Sequence, residues 1–265
     1  MTKPLLLFVT IFSILLVSLS HAGFEEGEAA YDKGDYFKAY IEFRALAEQG
    51  FAGAQYHLGY MYATGKGAPH DYAEAVTWYR LAAEQGLASA QYSLGVMYDK
   101  GQGVLQDDAE AIKWYRMAAE QGYARAQYNL GVMYDEGQGV PQDYAEAAKW
   151  YRLAAEQGHD WAQYNLGYMY YKGQGVAQDN AEALNWCREA AEQGHVVAQK
   201  DLGMMYAIGV GVRQDFVQAH MWFDLAASQG DSNAQEKRDK LAEKMTPAQI
   251  AEAQRMAREW KPKGQ

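Results

Sequence analysis

Residues 45–50 read Ala-Leu-Ala-Glu-Gln-Gly, and close variants of this phrase end at Gly86, Gly122, Gly158, Gly194 and Gly230. The glycines are 36 residues apart throughout. A fixed period of about 20–50 residues without insertions indicates stacked copies of one supersecondary unit. One such unit cannot bury its apolar face alone, so its neighbours complete the core. The period therefore predicts a repeat protein.

Each full repeat is taken to begin after the closing glycine of the phrase. Residues 23–50 match the second half of a repeat, and residues 231–265 contain a degraded repeat followed by a predicted C-terminal capping helix. Terminal units are expected to depart from the pattern, because their outer faces meet water. The five full repeats are 51–86, 87–122, 123–158, 159–194 and 195–230.

Every repeat is predicted to contain two helices. In the first repeat, apolar residues including Leu58 and Met61 recur at helical spacing between Ala52 and Ala63, which predicts one buried face. Gly59 lies inside this helix and recurs in all five repeats. A glycine there costs about 1 kcal/mol relative to alanine. Its recurrence predicts the close approach of a neighbouring helix.

The second helix is predicted over residues 71–85. Asp71 and Glu74 have the spacing of a capping box, in which each side chain bonds the other residue's backbone amide. Gly65 and Gly67 lie between the two helices, and we interpret them as turn residues with positive φ. A phosphate-binding loop would need more glycines and a preceding strand, and no strand is predicted.

These residues resemble the Sel-1-like repeat family, a longer relative of the tetratricopeptide repeat. The resemblance implies an all-α fold, a right-handed α-solenoid (superhelix) of 36-residue helix-turn-helix repeats with no β-sheet. It also implies adaptor or scaffold roles in protein complexes. In the second repeat the matching residues are Ala90, Tyr92, Leu94, Gly95, Tyr98, Gly101, Gly103, Val104, Asp107, Ala111, Trp114, Tyr115, Ala118, Ala119 and Gly122.

The N-terminal residues have the pattern of a secretory signal peptide. Lys3 precedes an apolar run from Leu5 to Leu19, and Ser20-His21-Ala22 supplies small residues before Gly23. We therefore expect residues 1–22 to be removed and the protein to be exported, either to a periplasm or out of the cell. An uncleaved anchor is the alternative, although the run is short of the roughly 20 residues that span a bilayer.

The net charge disfavours two classes of ligand. The full chain carries −10, and loss of Lys3 with the signal peptide would make it −11. Nucleic-acid backbones and anionic lipid surfaces are bound by clusters of Lys and Arg. We therefore expect no nucleic-acid partner and no stable membrane insertion after cleavage, and we expect a monomer that binds a protein or peptide.

Residues that suggest chemistry fall mostly on repeated structural positions. Cys187, the only cysteine, stands where the other repeats have an aromatic ring, so we favour a buried small hydrophobe over a reactive thiol. His159 and His195 share one repeat position, and we interpret both as surface residues rather than metal ligands. The recurrent tryptophans are interpreted as core residues whose indole N–H finds a local acceptor. We predict no catalytic residue, metal or cofactor.

Recognition is predicted where the repeats differ. In tetratricopeptide-type stacking, which the resemblance implies, the first helix of each repeat lines a concave groove. Tyrosine, tryptophan and arginine are frequent at interface hot spots. The predicted groove residues are Tyr60, Val96, Arg125, Val132, Trp161, Tyr168, Tyr171 and Met204. The predicted function is an exported non-enzymatic adaptor that binds a protein or peptide in this groove.

Two other functions are considered. Some cysteine-rich members of the resembled family are linked to β-lactams, which suggests a hydrolase acting on cell-wall or β-lactam-like substrates, but this chain lacks those cysteines. A self-associating structural component of the envelope is the third possibility. The acidic composition and the predicted capping helix argue against it.

Overall fold

The computed structural model describes residues 22–263, which form fourteen helices and no strand. The predicted signal peptide lies outside these residues except for Ala22. No helix in the described part of the chain combines the length and the apolar character needed to cross a membrane. The helices are α1 (22–32), α2 (Tyr36–Glu48), α3 (Ala52–Thr64), α4 (Tyr72–Glu84), α5 (Ala88–Lys100), α6 (Asp108–Glu120), α7 (Ala124–Glu136), α8 (Tyr144–Glu156), α9 (Asp160–Lys172), α10 (Asn180–Glu192), α11 (Val196–Ile208), α12 (Phe216–Ser228), α13 (Ser232–Ala242) and α14 (Pro247–Glu259).

The helices belong to two compact units, one ending at Ala126 and one beginning at Gln127. In the first unit, α2 to α6 pack in chain order, each against the next. In the second unit, α8 to α13 do the same, and α14 packs against α12. Most contacts are therefore made by neighbours in the chain, as a repeat array requires.

The second helix of each repeat begins at a capping aspartate. The Asp71 carboxylate accepts hydrogen bonds from Ala73 N at 2.8 Å and Glu74 N at 3.1 Å. The reciprocal half of the predicted capping box is wrong, because Asp71 N donates to the carbonyl oxygen of Tyr62 on α3. The cap residue therefore fixes the start of α4 and also ties it to the preceding helix.

The glycines behave as predicted. Gly65 and Gly67 have φ of 71° and 77°, in the left-handed region that favours glycine. Gly67 has a second reason to lack a side chain, because a Cβ there would collide with the carbonyl oxygen of Tyr36. A Cβ on Gly59 would lie 2.7 Å from Cδ1 of Tyr79, so the interior glycine admits the ring of the second helix.

A pair of glutamines joins consecutive helices in each repeat. Gln163 Nε2 on α9 donates to the carbonyl oxygen of Ala155 on α8 at 3.1 Å, and its Oε1 accepts from Gln193 Nε2 at the end of α10 at 2.7 Å. The same pairing joins Gln85 to Gln55 and Gln121 to Gln91 in the first unit, and Gln157 to Gln127 and Gln229 to Gln199 in the second. This network explains why a glutamine recurs before the closing glycine of each full repeat.

A tyrosine and an arginine form a second recurrent contact. The Arg152 guanidinium donates to Tyr170 Oη at 2.6 Å, and Arg80 and Arg188 make the same bond to Tyr98 and Tyr206. Each bond joins the second helix of one repeat to the first helix of the next. The polar tips of these half-buried tyrosines are thereby satisfied.

The tryptophan prediction is half right. Trp114 and Trp150 are 6% exposed and belong to the core. The expected local acceptor is missing, because Nε1 of Trp78, Trp114, Trp150 and Trp186 is buried without a hydrogen-bond partner among the described residues. Packing of the indole rings, rather than a hydrogen bond to a protein acceptor, therefore characterises this position in the described residues.

The C-terminal helix covers the last full repeat. The Thr246 side chain and Gln249 form a true capping box at the start of α14. Ala253 is fully buried, Ile250 packs against the core that contains α12, and the rings of Trp260 and Trp222 meet at 6.1 Å. The helix therefore packs as a cap does, with its apolar stripe against α12.

Candidate functional site

Three of the predicted groove residues form an exposed aromatic surface on α9. Trp161, Tyr168 and Tyr171 are 47%, 48% and 40% exposed, and their spacing of seven and three residues places them on one face of the helix. The Lys172 ammonium lies 5.5 Å from the Tyr168 ring and 5.2 Å from the Tyr171 ring. This surface combines flat apolar area with a cation.

Tyr60 is the corresponding exposed residue in the first unit. It is 38% exposed on α3, and its ring meets that of Tyr31 at 6.2 Å. The Lys66 ammonium lies near the rings of Tyr31 and Tyr36. Each unit thus has an exposed aromatic residue on a first helix with a lysine nearby, although in the first unit the lysine lies over rings of α1 and α2.

The other predicted groove residues are less prominent. Val96, Val132 and Met204 are half-buried, and Arg125 is exposed at the start of α7. They occupy the same first-helix positions as Tyr60, Tyr168 and Trp161 in their own repeats. Predicted groove residues therefore occur in both units, Tyr60, Val96 and Arg125 in the first and the other five in the second.

Two acids that share the groove positions contact the core instead. Tyr115 Oη donates to Asp99 Oδ2 at 3.1 Å, and Tyr151 Oη donates to Asp135 Oδ2 at 3.2 Å. Burial raises the pKa of Asp135, and the Tyr151 hydrogen bond opposes that shift. These carboxylates therefore hold the core tyrosines rather than a ligand.

The interpretation of the histidines as surface residues is wrong for His195. It is 7% exposed, and its Nδ1 accepts a hydrogen bond from Ala198 N at 3.1 Å. The half-buried His159 accepts from Ala162 N in the same way at 3.4 Å. Both cap the first helix of a repeat, at a position where Phe51 and Leu87 stand in earlier repeats. The apolar residues at this position in the earlier repeats could have predicted that His195 is buried.

Cys187 is buried, as predicted, but it borders a cavity that was not predicted. The cavity has a volume of about 210 Å³ and lies between α9, α10 and α11. Burial raises the pKa of the Cys187 thiol to about 12, and Sγ donates to the carbonyl oxygen of Ala198. The thiol is therefore protonated at neutral pH and is not a nucleophile. The lining residues are Tyr164, Gly167, Tyr168, Tyr171, Ala183, Cys187, Asp201, Met204, Met205, Ile208 and Val210.

The sequence contains a signal for this cavity. Gly167 is retained in the repeat that has Cys187 in place of a ring, so the space that the glycine leaves has no side chain to fill it. Of the predicted groove residues, the cavity brings together Tyr168, Tyr171 and Met204. Asp201, Met205, Ile208 and Val210 were not among the predicted site residues.

Metal binding has no geometric basis in residues 22–263, where no three His, Cys, Asp or Glu side chains converge. A second, more open depression of about 470 Å³ adjoins Met204 in the second unit. Three lysines border it, namely Lys237, Lys240 and Lys244. One carboxylate, Glu243, lies among these lysines.

Comparison with protein families identifies the repeat. The model of the Sel1 repeat matches five consecutive segments that together cover more than half of the chain, at residues 52–87, 88–123, 124–159, 162–195 and 196–231. The chain belongs to the Sel1 repeat family. The Sel1 repeat is a scaffold fold that typically mediates protein–protein interaction and is generally non-catalytic.

Solved structures of Sel1 repeat proteins share the α-solenoid fold. A protective antigen, c5321, from uropathogenic Escherichia coli is 42% identical, with a TM-score of 0.83 over 91% of this chain and 53% of that chain. A Sel1 repeat protein from Oxalobacter formigenes is 34% identical, with a TM-score of 0.77 over 92% of this chain and 98% of that one. This chain thus spans about half the length of the Escherichia coli protein. No match was found among curated proteins.

Proposed function

We propose that this chain is an exported, non-enzymatic adaptor that binds a protein or peptide partner on the first helices of its Sel1 repeats. The observation that carries the proposal is the set of exposed aromatic side chains on those helices. They stand at positions that vary between repeats, whereas the residues that hold the repeats together recur.

The exposed aromatic side chains leave apolar surface in contact with water, which is unfavourable in free energy. Trp161 and Tyr168 each leave nearly half of a large side chain in water. Removing apolar surface from water is favourable by about 25 cal/mol per Å², and the entropic costs of association are subtracted from this gain. Tyrosine and tryptophan are stiff and have polar tips, and they are therefore frequent among the residues that dominate interfaces.

The charge of the chain favours a protein or peptide over other macromolecules. The sequence carries ten more acidic than basic residues. Lys172 lies beside the exposed rings of Tyr168 and Tyr171, and Lys66 lies beside the half-buried rings of Tyr31 and Tyr36, so a partner carboxylate would meet a cation at either place. An extended or helical peptide can follow such a surface, because its side chains reach anchors that are several residues apart.

Export rests on the sequence pattern of residues 1–22, and a periplasmic or extracellular partner follows from it. The proposed binding surface is formed by a single copy of the chain, so binding does not require self-association. We therefore propose that the adaptor acts as a monomer outside the cytoplasm.

The test is capture of a partner by the mature protein from periplasmic and culture-supernatant fractions. In the test variant, alanine replaces three exposed aromatic residues at once, namely Tyr60, Trp161 and Tyr168. We expect the captured protein to be lost and the melting temperature to stay within a few degrees, because exposed side chains contribute little to stability.

A matched control uses apolar residues of similar exposure on the second helices. Leu81, Met117 and Leu153 are 41%, 39% and 37% exposed. Their triple alanine variant should capture the partner as the wild type does. Capture that survives loss of the first-helix aromatics, or that is lost equally in the control, would refute the proposed surface.

A further inference from the structure

The cavity beside Cys187 has the shape of a missing ring. In the other four full repeats, the second helix places an aromatic ring over the interior glycine of the first helix. A Cβ on Gly131 would lie 2.6 Å from Cδ1 of Tyr151, and a Cβ on Gly203 would lie 2.8 Å from Cδ1 of Phe223. At Gly167 the nearest atoms belong instead to the backbone and to Cβ of Trp186. The glycine is kept, but the ring is absent.

The volume of the cavity suits one aromatic ring. The cavity measures about 210 Å³, whereas an engineered apolar cavity of about 150 Å³ is already large enough to bind benzene. Met204, Met205 and Val210 supply apolar walls. Sulfur–aromatic contacts of methionine are favourable by about 0.3–1.5 kcal/mol.

The cavity opens beside the exposed aromatic surface of α9. Tyr168 and Tyr171 belong both to that surface and to the cavity wall, and Ile208, which is 60% exposed, borders it from α11. A partner bound to the exposed aromatic surface of α9 would therefore have the opening of the cavity within reach of its side chains.

One carboxylate, that of Asp201, lies in the cavity wall. Asp201 Oδ2 accepts a hydrogen bond from Tyr164 Oη at 2.9 Å, and Lys200 Nζ lies 3.8 Å from its Oδ1. A carboxylate has capacity for further donors. The same chain pairs phenol hydroxyls with carboxylates twice, at Tyr115 with Asp99 and at Tyr151 with Asp135.

We propose that the cavity beside Cys187 binds a hydroxyl-bearing aromatic ring, the side chain of a tyrosine in the peptide partner. This inference rests on the proposed function and names the anchor that the partner supplies. The bound ring takes the place that Tyr79, Tyr115, Tyr151 and Phe223 occupy in the other repeats. Binding is non-covalent, since the Cys187 thiol is buried and protonated.

The first experiment uses p-cresol, the side-chain analogue of tyrosine, with the full chain. Methionine methyl NMR should show saturable shifts at Met204 and Met205 and none at the distant core residue Met133. Cys187→Tyr should abolish these shifts, because the new ring fills the cavity. Cys187→Ala should preserve them, because the thiol is not needed.

The variants also report on folding. Cys187→Tyr restores the residue found in three other repeats, and we expect its melting temperature to equal or exceed that of the wild type. Cys187→Phe, the choice of the last repeat, is the second filled variant. Absence of p-cresol binding in the wild type, or binding that persists in a folded Cys187→Tyr or Cys187→Phe protein, would overturn the proposal.

The role of Asp201 is tested by comparing p-cresol with toluene. Wild-type protein should bind p-cresol several-fold more tightly than toluene, because a hydrogen bond to a charged acceptor is stronger than one to a neutral group. Asp201→Asn should reduce that preference by lowering p-cresol affinity more than toluene affinity. Equal affinities in the wild type would overturn the assigned hydroxyl.

A blocked Ala-Tyr-Ala peptide distinguishes a peptide side chain from a free phenol. We expect the peptide to shift the same methionine signals, and Trp161→Ala to weaken the peptide but not p-cresol, because Trp161 lies outside the cavity lining. If p-cresol binds but the blocked peptide does not, the assignment of the ligand as a peptide side chain is overturned. Failure of both probes would overturn the pocket, while partner capture that depends on Trp161 would still support the proposed adaptor.

Discussion

His195 caps a helix with a titratable ring that is buried. Its Nδ1 accepts the hydrogen bond from Ala198 N and must be unprotonated to do so. The ring stacks on Tyr164 and meets the edge of Trp161. Burial lowers the pKa of His195 below its usual value of 6.5. The folded protein therefore favours the neutral imidazole.

This arrangement makes stability depend on pH. The pKa is lower in the folded than in the unfolded protein, so the unfolded chain takes up the proton first as the pH falls. The stability present above pH 6.5 is lost as the pH drops through that value toward the folded-state pKa. We expect the melting temperature to fall less between about pH 7.5 and pH 5.5 in His195→Asn, because asparagine caps a helix without titrating.

The comparison isolates His195, because the other two histidines whose pKa is lowered by desolvation, the half-buried His57 and the buried His220, are present in both proteins. His70→Asn serves as the control, since His70 is exposed. The melting temperatures are followed by circular dichroism across the pH series. An identical pH dependence in the wild type and in His195→Asn would contradict the assignment.

At the scale of the elements, one buried amide joins three helices. Gln163 on α9 contacts α8 through Ala155 and α10 through Gln193. It is 5% exposed, so water cannot replace either partner. The amide therefore fixes the rotation of α9 between its two neighbours.

We expect Gln163→Ala to lower the free energy of unfolding by about 1–3 kcal/mol, because the buried carbonyl oxygen of Ala155 and the half-buried amide of Gln193 both lose their partner. Gln193→Ala should cost less, since that residue is only half-buried. In a double-mutant cycle measured by urea denaturation, the two changes should couple by about 0.5 kcal/mol or more.

Gln142 provides the control for this cycle. It is an exposed glutamine whose amide bonds only the nearby carbonyl oxygen of Asp135. Gln142→Ala should change stability by about 0.5 kcal/mol or less. Strict additivity of Gln163→Ala and Gln193→Ala would show that the bond between them does not contribute.

The elements themselves were predictable from sequence because their signals are local. Apolar spacing gave both helices of each repeat, Asp71 gave a helix start, and Gly65 gave a turn. The Gln163–Gln193 bond was not predictable in the same way, because its residues are 30 positions apart and meet only after α9 and α10 pack. Local rules also failed for the capping box, where Tyr62 O replaced Glu74 as the partner of Asp71 N.

The candidate site was predictable only in part, for the same reason. Comparing repeats identified Trp161 and Tyr168 as variable first-helix residues, and both are exposed. Their binding role stays a prediction. The cavity required a comparison of two positions at once, the retained Gly167 and the ring lost at Cys187. The burial of His195 required weighing its apolar counterparts above its own polarity.

At the scale of the whole chain, the described C-terminal end is closed by several separate contacts. Trp260 packs on Trp222, Lys263 N donates to the carbonyl oxygen of Glu192 at 2.8 Å, and the Lys263 ammonium pairs with Glu189 and Glu192. Repeat arrays need such atypical ends, because an uncovered repeat face is apolar.

Truncation after Met245 should therefore lower the melting temperature and increase binding of the dye ANS, which reports exposed apolar surface. Truncation after Trp260 keeps the ring contact and loses only the Lys263 contacts, so its effect should be smaller. Circular dichroism and ANS fluorescence measure both. A protein truncated after Met245 that melts like the full chain would show that α14 contributes little as a cap and is available to a partner.

The glutamine pairs have a consequence for how such chains change over time. The two partners are 30 residues apart at every junction where the bond is described. A genetic duplication or deletion of one 36-residue period would bring a glutamine against a partner of the same kind, and no compensating mutation would be needed. Shifts of a few residues would break the pairing. Unequal recombination in whole repeats would thus preserve this bond, whereas a partial insertion between the two glutamines would break it.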